Sequence, residues 1–162
     1  VMEIDSITAL REEAPAPDLL VSVVNGSRPA FHRALAEYAY ESDIDWLPSR
    51  LVGGEIRLGP LMQPGQGACY NCYYERSLAS VDQPAAVGAG KERQETEERQ
   101  PNYPEPIVGL QHVATRLEVL HITSADRRPT TEETVLAIDA FSFDRSSESV
   151  LKLPGCEVCG QN

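Results

Sequence analysis

Four cysteines carry the most specific chemistry in this 162-residue chain. They form two Cys-x-x-Cys pairs, Cys69/Cys72 and Cys156/Cys159, in opposite halves of the sequence. Tetrahedral zinc binds four thiolates readily, and a Cys-x-x-Cys knuckle delivers two of them from one tight turn. Turn-forming residues surround both pairs: Gly65 and Gly67 before the first, Pro154 and Gly155 before the second, Gly160 after it. A structural zinc on Cys69, Cys72, Cys156 and Cys159 is therefore expected. An iron site of the same shape and an interlocked pair of disulfides stay open. A catalytic zinc is not expected, because four thiolates leave no position for water. A redox pair normally comes singly, and here there are two.

No other constellation reaches that specificity. The three histidines, His32, His112 and His121, fall on or near expected helices. His121 near a helix end reads as a complement to the negative terminus. Glu97-Glu98 and Glu132-Glu133 are adjacent carboxylates, whose side chains diverge on a helix or strand and so do not pair for acid/base work. No nucleophile-elbow pattern supports a Ser-His-Asp set. No catalytic residue and no organic cofactor site is assigned.

Composition bounds the partners. The net charge is −11, and the 14 basic residues include only two lysines, Lys91 and Lys152. Nucleic-acid affinity rests on clustered Lys and Arg, so the balance argues against a nucleic-acid partner. An acidic, lysine-poor surface stays solvated in strong salt, so a halophilic source is one expectation and an acidic protein from a GC-rich genome the other. No stretch approaches the roughly 20 apolar residues of a membrane span, and no secretory signal opens the chain. A cytoplasmic protein without a membrane partner is expected.

The elements that must position the cysteines follow from pattern. Met2 and Ile4 read as a short strand and Ser6–Glu13 as a helical turn. Asp18–Val24 is a short apolar run, as in a strand buried on both faces. Ser27 is placed to cap a helix to about Ser42, with Pro29 in its first turn and Phe31, Ala34, Leu35, Tyr38 and Ala39 on one face. Trp46–Val52 and Glu55–Met62 form a hairpin across Gly53-Gly54. Residues 81–106 are polar and charged and read as a mobile crossover loop. Ile107, Leu110, Val113, Ala114, Leu117 and Leu120 predict the buried face of a long helix. Thr134–Phe143 is a strand, Asp144–Glu148 a turn, and Ser149–Leu153 the return strand that brings the second knuckle to the first. The predicted class is α/β: one domain over residues 1–162, a mixed sheet with antiparallel hairpins and flanking helices, pinned by zinc.

The run Gly59-Pro60-Leu61-Met62-Gln63-Pro64-Gly65-Gln66-Gly67-Ala68-Cys69-Tyr70-Asn71-Cys72, followed by Arg76, resembles the zinc-knuckle segment of ThiF-type proteins, the ubiquitin-activating-enzyme-like fold. Within them it is most similar to the cyclodehydratase C component of thiazole/oxazole-modified peptide biosynthesis, the ocin-ThiF-like protein. The order of elements over residues 18–160 resembles the C-terminal half of that fold. The resemblance implies a bacteriocin-type biosynthetic role: a scaffold that presents a precursor peptide to a YcaO-type enzyme, which itself uses ATP to form azoline rings. It also implies a homodimer. Adenylating members carry a glycine-rich phosphate loop and an Asp-x-x-Asp-like run that holds magnesium. No GxGxxG occurs here, and the matching run is Ser22-Val23-Val24-Asn25. Some members use a cysteine in the crossover region, and residues 73–155 contain none. A non-catalytic scaffold, inactive on its own, is therefore expected. A remnant or subunit of an ATP-dependent adenylating enzyme is the alternative, and a four-cysteine electron carrier the third class.

Overall fold

A computed structural model describes residues 10, 17–80, 101–124 and 127–160. The strand expected at Met2 and Ile4, most of the turn at Ser6–Glu13, and residues 81–100 of the crossover loop lie outside them. Eight labelled elements follow in chain order: β1 (Leu19–Asn25), α1 (Pro29–Glu41), β2 (Asp45–Val52), β3 (Glu55–Leu58), α2 (Tyr70–Ala79), α3 (Glu105–Thr123), β4 (Thr134–Asp139) and β5 (Arg145–Ser149). They build an α/β fold around one five-stranded mixed sheet, ordered β1-β2-β3-β4-β5. Only β1 and β2 run parallel, joined through α1; the other neighbours are antiparallel.

Alternation along the strands sends side chains to two layers. On one face Trp46 and Val135 pack with Leu35 and Ala39 of α1, Tyr70, Tyr73 and Tyr74 of α2, and all four cysteines. On the other, Leu51, Ile56, Leu58 and Leu136 pack against Ile107 of α3. The first knuckle thus continues the larger core.

Several boundaries differ from expectation for local reasons. Ser27 does not cap α1; Arg28 holds the N-cap position without a side-chain cap, and Pro29 opens the helix. The returning strand of the first hairpin stops at Leu58; Gly59 follows at φ +83, and the Gly59–Pro60 peptide is cis. Beyond it, Met62 still pairs with Trp46 through two backbone hydrogen bonds of 2.9 Å. Of the expected loop 81–106, the described part ends at Pro104, and α3 begins at Glu105.

The second hairpin is shifted. β4 ends at Asp139, whose carboxylate accepts the N–H groups of Phe141 and Ser142 at 2.8 Å each, and Phe143 turns the chain at φ +62. The return strand is therefore Arg145–Ser149, expected as a turn. It is exposed throughout, so no hydrophobic alternation marks it.

The largest correction concerns α3. Its buried stripe is Ile107, Gln111, Thr115 and Glu118, whereas Val113, Leu117 and Leu120 are 52%, 53% and 61% exposed. Polar groups line the buried side because the sheet supplies partners. Gln111 Nε2 donates to Ser49 Oγ at 3.2 Å and to the Val24 carbonyl at 3.4 Å. Thr115 and Ser49 share a 2.8 Å hydrogen bond. Glu118 accepts from both the backbone N–H and the hydroxyl of Thr131, each at 2.8 Å. Gln111 Oε1 has no partner among the described residues, but the other hydrogen bonds of this buried polar stripe fix the helix in register.

Candidate metal centre

The first knuckle sits at the start of α2. Cys69 is the N-cap residue, with extended backbone, and Cys72 occupies the first turn. A Cys-x-x-Cys spanning a helix start points both thiols to one side. The second knuckle is a pair of turns after β5: Gly155 takes φ +74, the Cys156 N–H bonds the Leu153 carbonyl at 3.2 Å, and the Gly160 N–H bonds the Cys156 carbonyl at 2.8 Å. A Cβ at Gly160 would collide with the Cys156 backbone, so only glycine closes this turn.

The four sulfurs converge. Cys69 Sγ lies 3.8 Å from Cys72 Sγ and 3.6 Å from Cys156 Sγ, and Cys72 Sγ lies 3.4 Å from Cys159 Sγ. All four are within 4.8 Å of one another and buried. A tetrahedron with metal–sulfur bonds of about 2.3 Å has sulfur–sulfur edges of about 3.8 Å. The four thiols are free, so the interlocked disulfides left open by the sequence are not formed here. The arrangement is a cage that can hold one metal ion through Cys69, Cys72, Cys156 and Cys159.

Groups around the cage orient it. The Leu153 N–H points at Cys72 Sγ at 3.3 Å, and Asn71 Nδ2 approaches Cys156 Sγ at 3.9 Å. Arg76 Nε donates to the Leu151 carbonyl at 2.8 Å, strapping the lead-in of the second knuckle to the helix that bears the first. Burial drives the Cys69 thiol far up and Cys159 up to about 11. Burial also raises Cys156, but backbone N–H groups of Cys159 and Val158 outweigh it and bring that thiol down to about 7. A bound cation would deprotonate all four, since the thiolate is the ligand.

Beneath the knuckle lies a cluster that the sequence reading missed. His32 is fully buried and stacked between Trp46 and Tyr70, at ring distances of 5.9 and 5.2 Å. Its Nδ1 donates to the Arg28 carbonyl at 2.7 Å, and its Nε2 has no partner among the described residues. Burial, then the charge of Arg50, hold its pKa down to about 3. Arg50 lies over Tyr70 and Tyr73, and Arg57 donates to the Tyr73 hydroxyl at 2.8 Å. Burial raises Tyr73, but the two guanidinium groups outweigh it and lower it. The available signal was Arg50, a charged residue within the mostly apolar run Trp46–Val52.

The remaining named residues are dispersed. Ser22 is buried, and its hydroxyl accepts the Trp46 indole N–H at 3.1 Å; Asn25 ends β1. His112, Glu132 and Glu133 are exposed. His121 pairs with Glu118 at 3.3 Å, while Glu97 and Glu98 lie outside the described residues. Among the described residues, no helix is long and apolar enough to cross a membrane.

No family model and no curated protein matches the sequence. Solved structures do. E. coli MccB aligns with a TM-score of 0.72 and 18% identity over 99% of this chain and 44% of its own. Its complex with AMPCPP and MccA aligns with a TM-score of 0.73, again at 18% identity, over 99% and 44%. A heterocyclase in complex with substrate and cofactor aligns with a TM-score of 0.66 and 21% identity over 94% of this chain and 22% of its own. The chain shares the fold of these structures. The chain spans less than half the length of these neighbours.

Proposed function

We propose that this chain is a non-catalytic, zinc-stabilised scaffold in azole- or azoline-forming peptide modification, binding a precursor peptide, a YcaO-type enzyme, or both. The observation that carries the reading is the hydrogen bond between Trp46 and Ser22. By resemblance, an adenylating relative would hold magnesium with a carboxylate at that place. Here the position is a neutral hydroxyl consumed inside the core, and Asn25 adds no charge for a hard cation. Zinc is the ion that best suits the cage, because four thiolates in a closed tetrahedron match its structural sites. Neighbours whose structures contain a peptide, MccA, or a heterocyclase substrate support the peptide-modification assignment.

A homodimer belongs to the same reading. The stripe Val113, Leu117 and Leu120 is a contiguous helical face, and exposed apolar faces of this kind mark association sites. A second copy of the chain is the proposed occupant.

A second reading has a specific observation behind it: the neighbours include MccB complexes with ATP and with AMPCPP. On that reading the chain is a remnant or subunit of an adenylating enzyme. A pull-down with a YcaO-type enzyme and its precursor peptide from the same source tests the scaffold. Capture of either supports it. Capture of neither, together with ATP turnover by the chain, would overturn it.

A further inference from the structure

Arg50, on β2, is 7% exposed, yet its Nε and Nη2 have no hydrogen-bond partner among the described residues. These two nitrogens share one edge of the planar guanidinium, and their N–H bonds run side by side. That edge grips a carboxylate through two parallel hydrogen bonds. The flat faces of the group are already used: its carbon lies 4.7 Å from the Tyr73 ring centroid and 5.2 Å from that of Tyr70.

Charge points the same way. Arg50 is paired across the strands with Arg57, on the same face of the sheet. Like charges directly opposite are unfavourable, and a buried charge without a counter-ion is more so. Glu55 pairs with Arg57, and Arg57 also bonds Tyr73, so neither is left to neutralise Arg50. A local positive surplus thus stands in a chain of net charge −11. Arg50 also stands opposite Val24 in the parallel β1–β2 pair, near the carboxyl ends of the strands, where α/β sheets collect ligands.

We infer that Arg50 anchors a carboxylate-binding site, with its Nε–Nη2 edge as the receptor and Tyr70 and Tyr73 as the walls. A carboxylate fits better than a phosphate. It brings two coplanar oxygens that match the two parallel N–H bonds and a single charge, whereas a phosphate brings further charged oxygens that the Nε–Nη2 edge cannot bond. The site stands independently of the scaffold reading, since it rests on Arg50 and its neighbours alone.

The test uses the metal-loaded full chain, titrated with sodium acetate, sodium phosphate and sodium chloride at matched ionic strength and constant pH. The readouts are the Arg50 Nε–H resonance, assigned by its loss in Arg50→Met, and the Tm. Acetate should shift that resonance saturably and raise the Tm, with phosphate weaker and chloride without specific effect. Arg50→Met should abolish the Tm response. Arg50→Lys, which keeps the charge and loses the fork, should weaken it by about tenfold or more. An unshifted resonance in the wild type would mean that water satisfies the edge, and would overturn the site. Equal response to chloride, or tighter phosphate than acetate, would overturn it as well. If Arg50→Met does not fold, the wild-type shift and Arg50→Lys still decide.

Discussion

At the residue scale the four cysteines dominate. Their types and spacing were readable because Cys-x-x-Cys encodes geometry locally, and the structure brings both pairs within one coordination distance. Replacing Cys69 or Cys156 by Ser should abolish stoichiometric metal binding in native mass spectrometry. Chelation should cost more than about 3 kcal/mol of unfolding free energy, because metal affinity counts toward folding. Unchanged thermal stability after complete chelation would contradict a structural role. His32 supports a separate prediction. Its pKa of about 3 lies below the ordinary 6.5, so between those values the unfolded chain binds a proton that the folded chain refuses. Its contribution is fully present above pH 6.5 and declines as pH falls toward 3, at up to about 1.4 kcal/mol per pH unit. Acid unfolding of His32→Phe, compared with wild type, should show a flatter dependence over that window. The two proteins share the metal site, so equal slopes would refute the assignment. The cluster around His32 was not legible beforehand, because Arg50, Tyr70 and His32 meet only when α1, α2 and β2 pack together.

At the element scale, burial follows the apolar pattern in some elements and polar partnership in others. β1, α1 and β2 were visible as apolar runs and faces. α3 was visible as a helix, and Ile107, Leu110 and Ala114 of the expected face do pack on the sheet, but Val113, Leu117 and Leu120 face outward, since hydrophobic spacing cannot reveal that Ser49, Val24 and Thr131 wait with hydrogen-bond partners. β5 was displaced because Arg-Ser-Ser-Glu-Ser carries no core signal and its register is set by the Asp139 turn. Glu118→Ala should cost about 2–3 kcal/mol in denaturant unfolding, because it leaves the buried Thr131 N–H and hydroxyl unpaired. A change below about 0.5 kcal/mol would show that the contact is not formed in solution. Leu117→Glu should instead leave unfolding within about 0.5 kcal/mol and shift light scattering from dimer to monomer. A wild-type monomer at working concentration would contradict the proposed use of that face.

At the scale of the whole molecule, the α/β class and the knuckle-to-knuckle closure were legible from element order, and the structural neighbours share that fold. Function is less directly encoded, because one fold carries many activities and the deciding groups are few. The net charge of −11 disfavours a polyanionic ligand, Ser22 is committed to Trp46, and no glycine-rich phosphate loop occurs in the sequence. On the proposed function, the chain is a scaffold that does not adenylate. The most direct test is calorimetric titration of the zinc-loaded chain with ATP and magnesium, with pyrophosphate release monitored in the same samples. No saturable heat and no pyrophosphate are predicted up to millimolar nucleotide; saturable binding accompanied by pyrophosphate release would contradict the account.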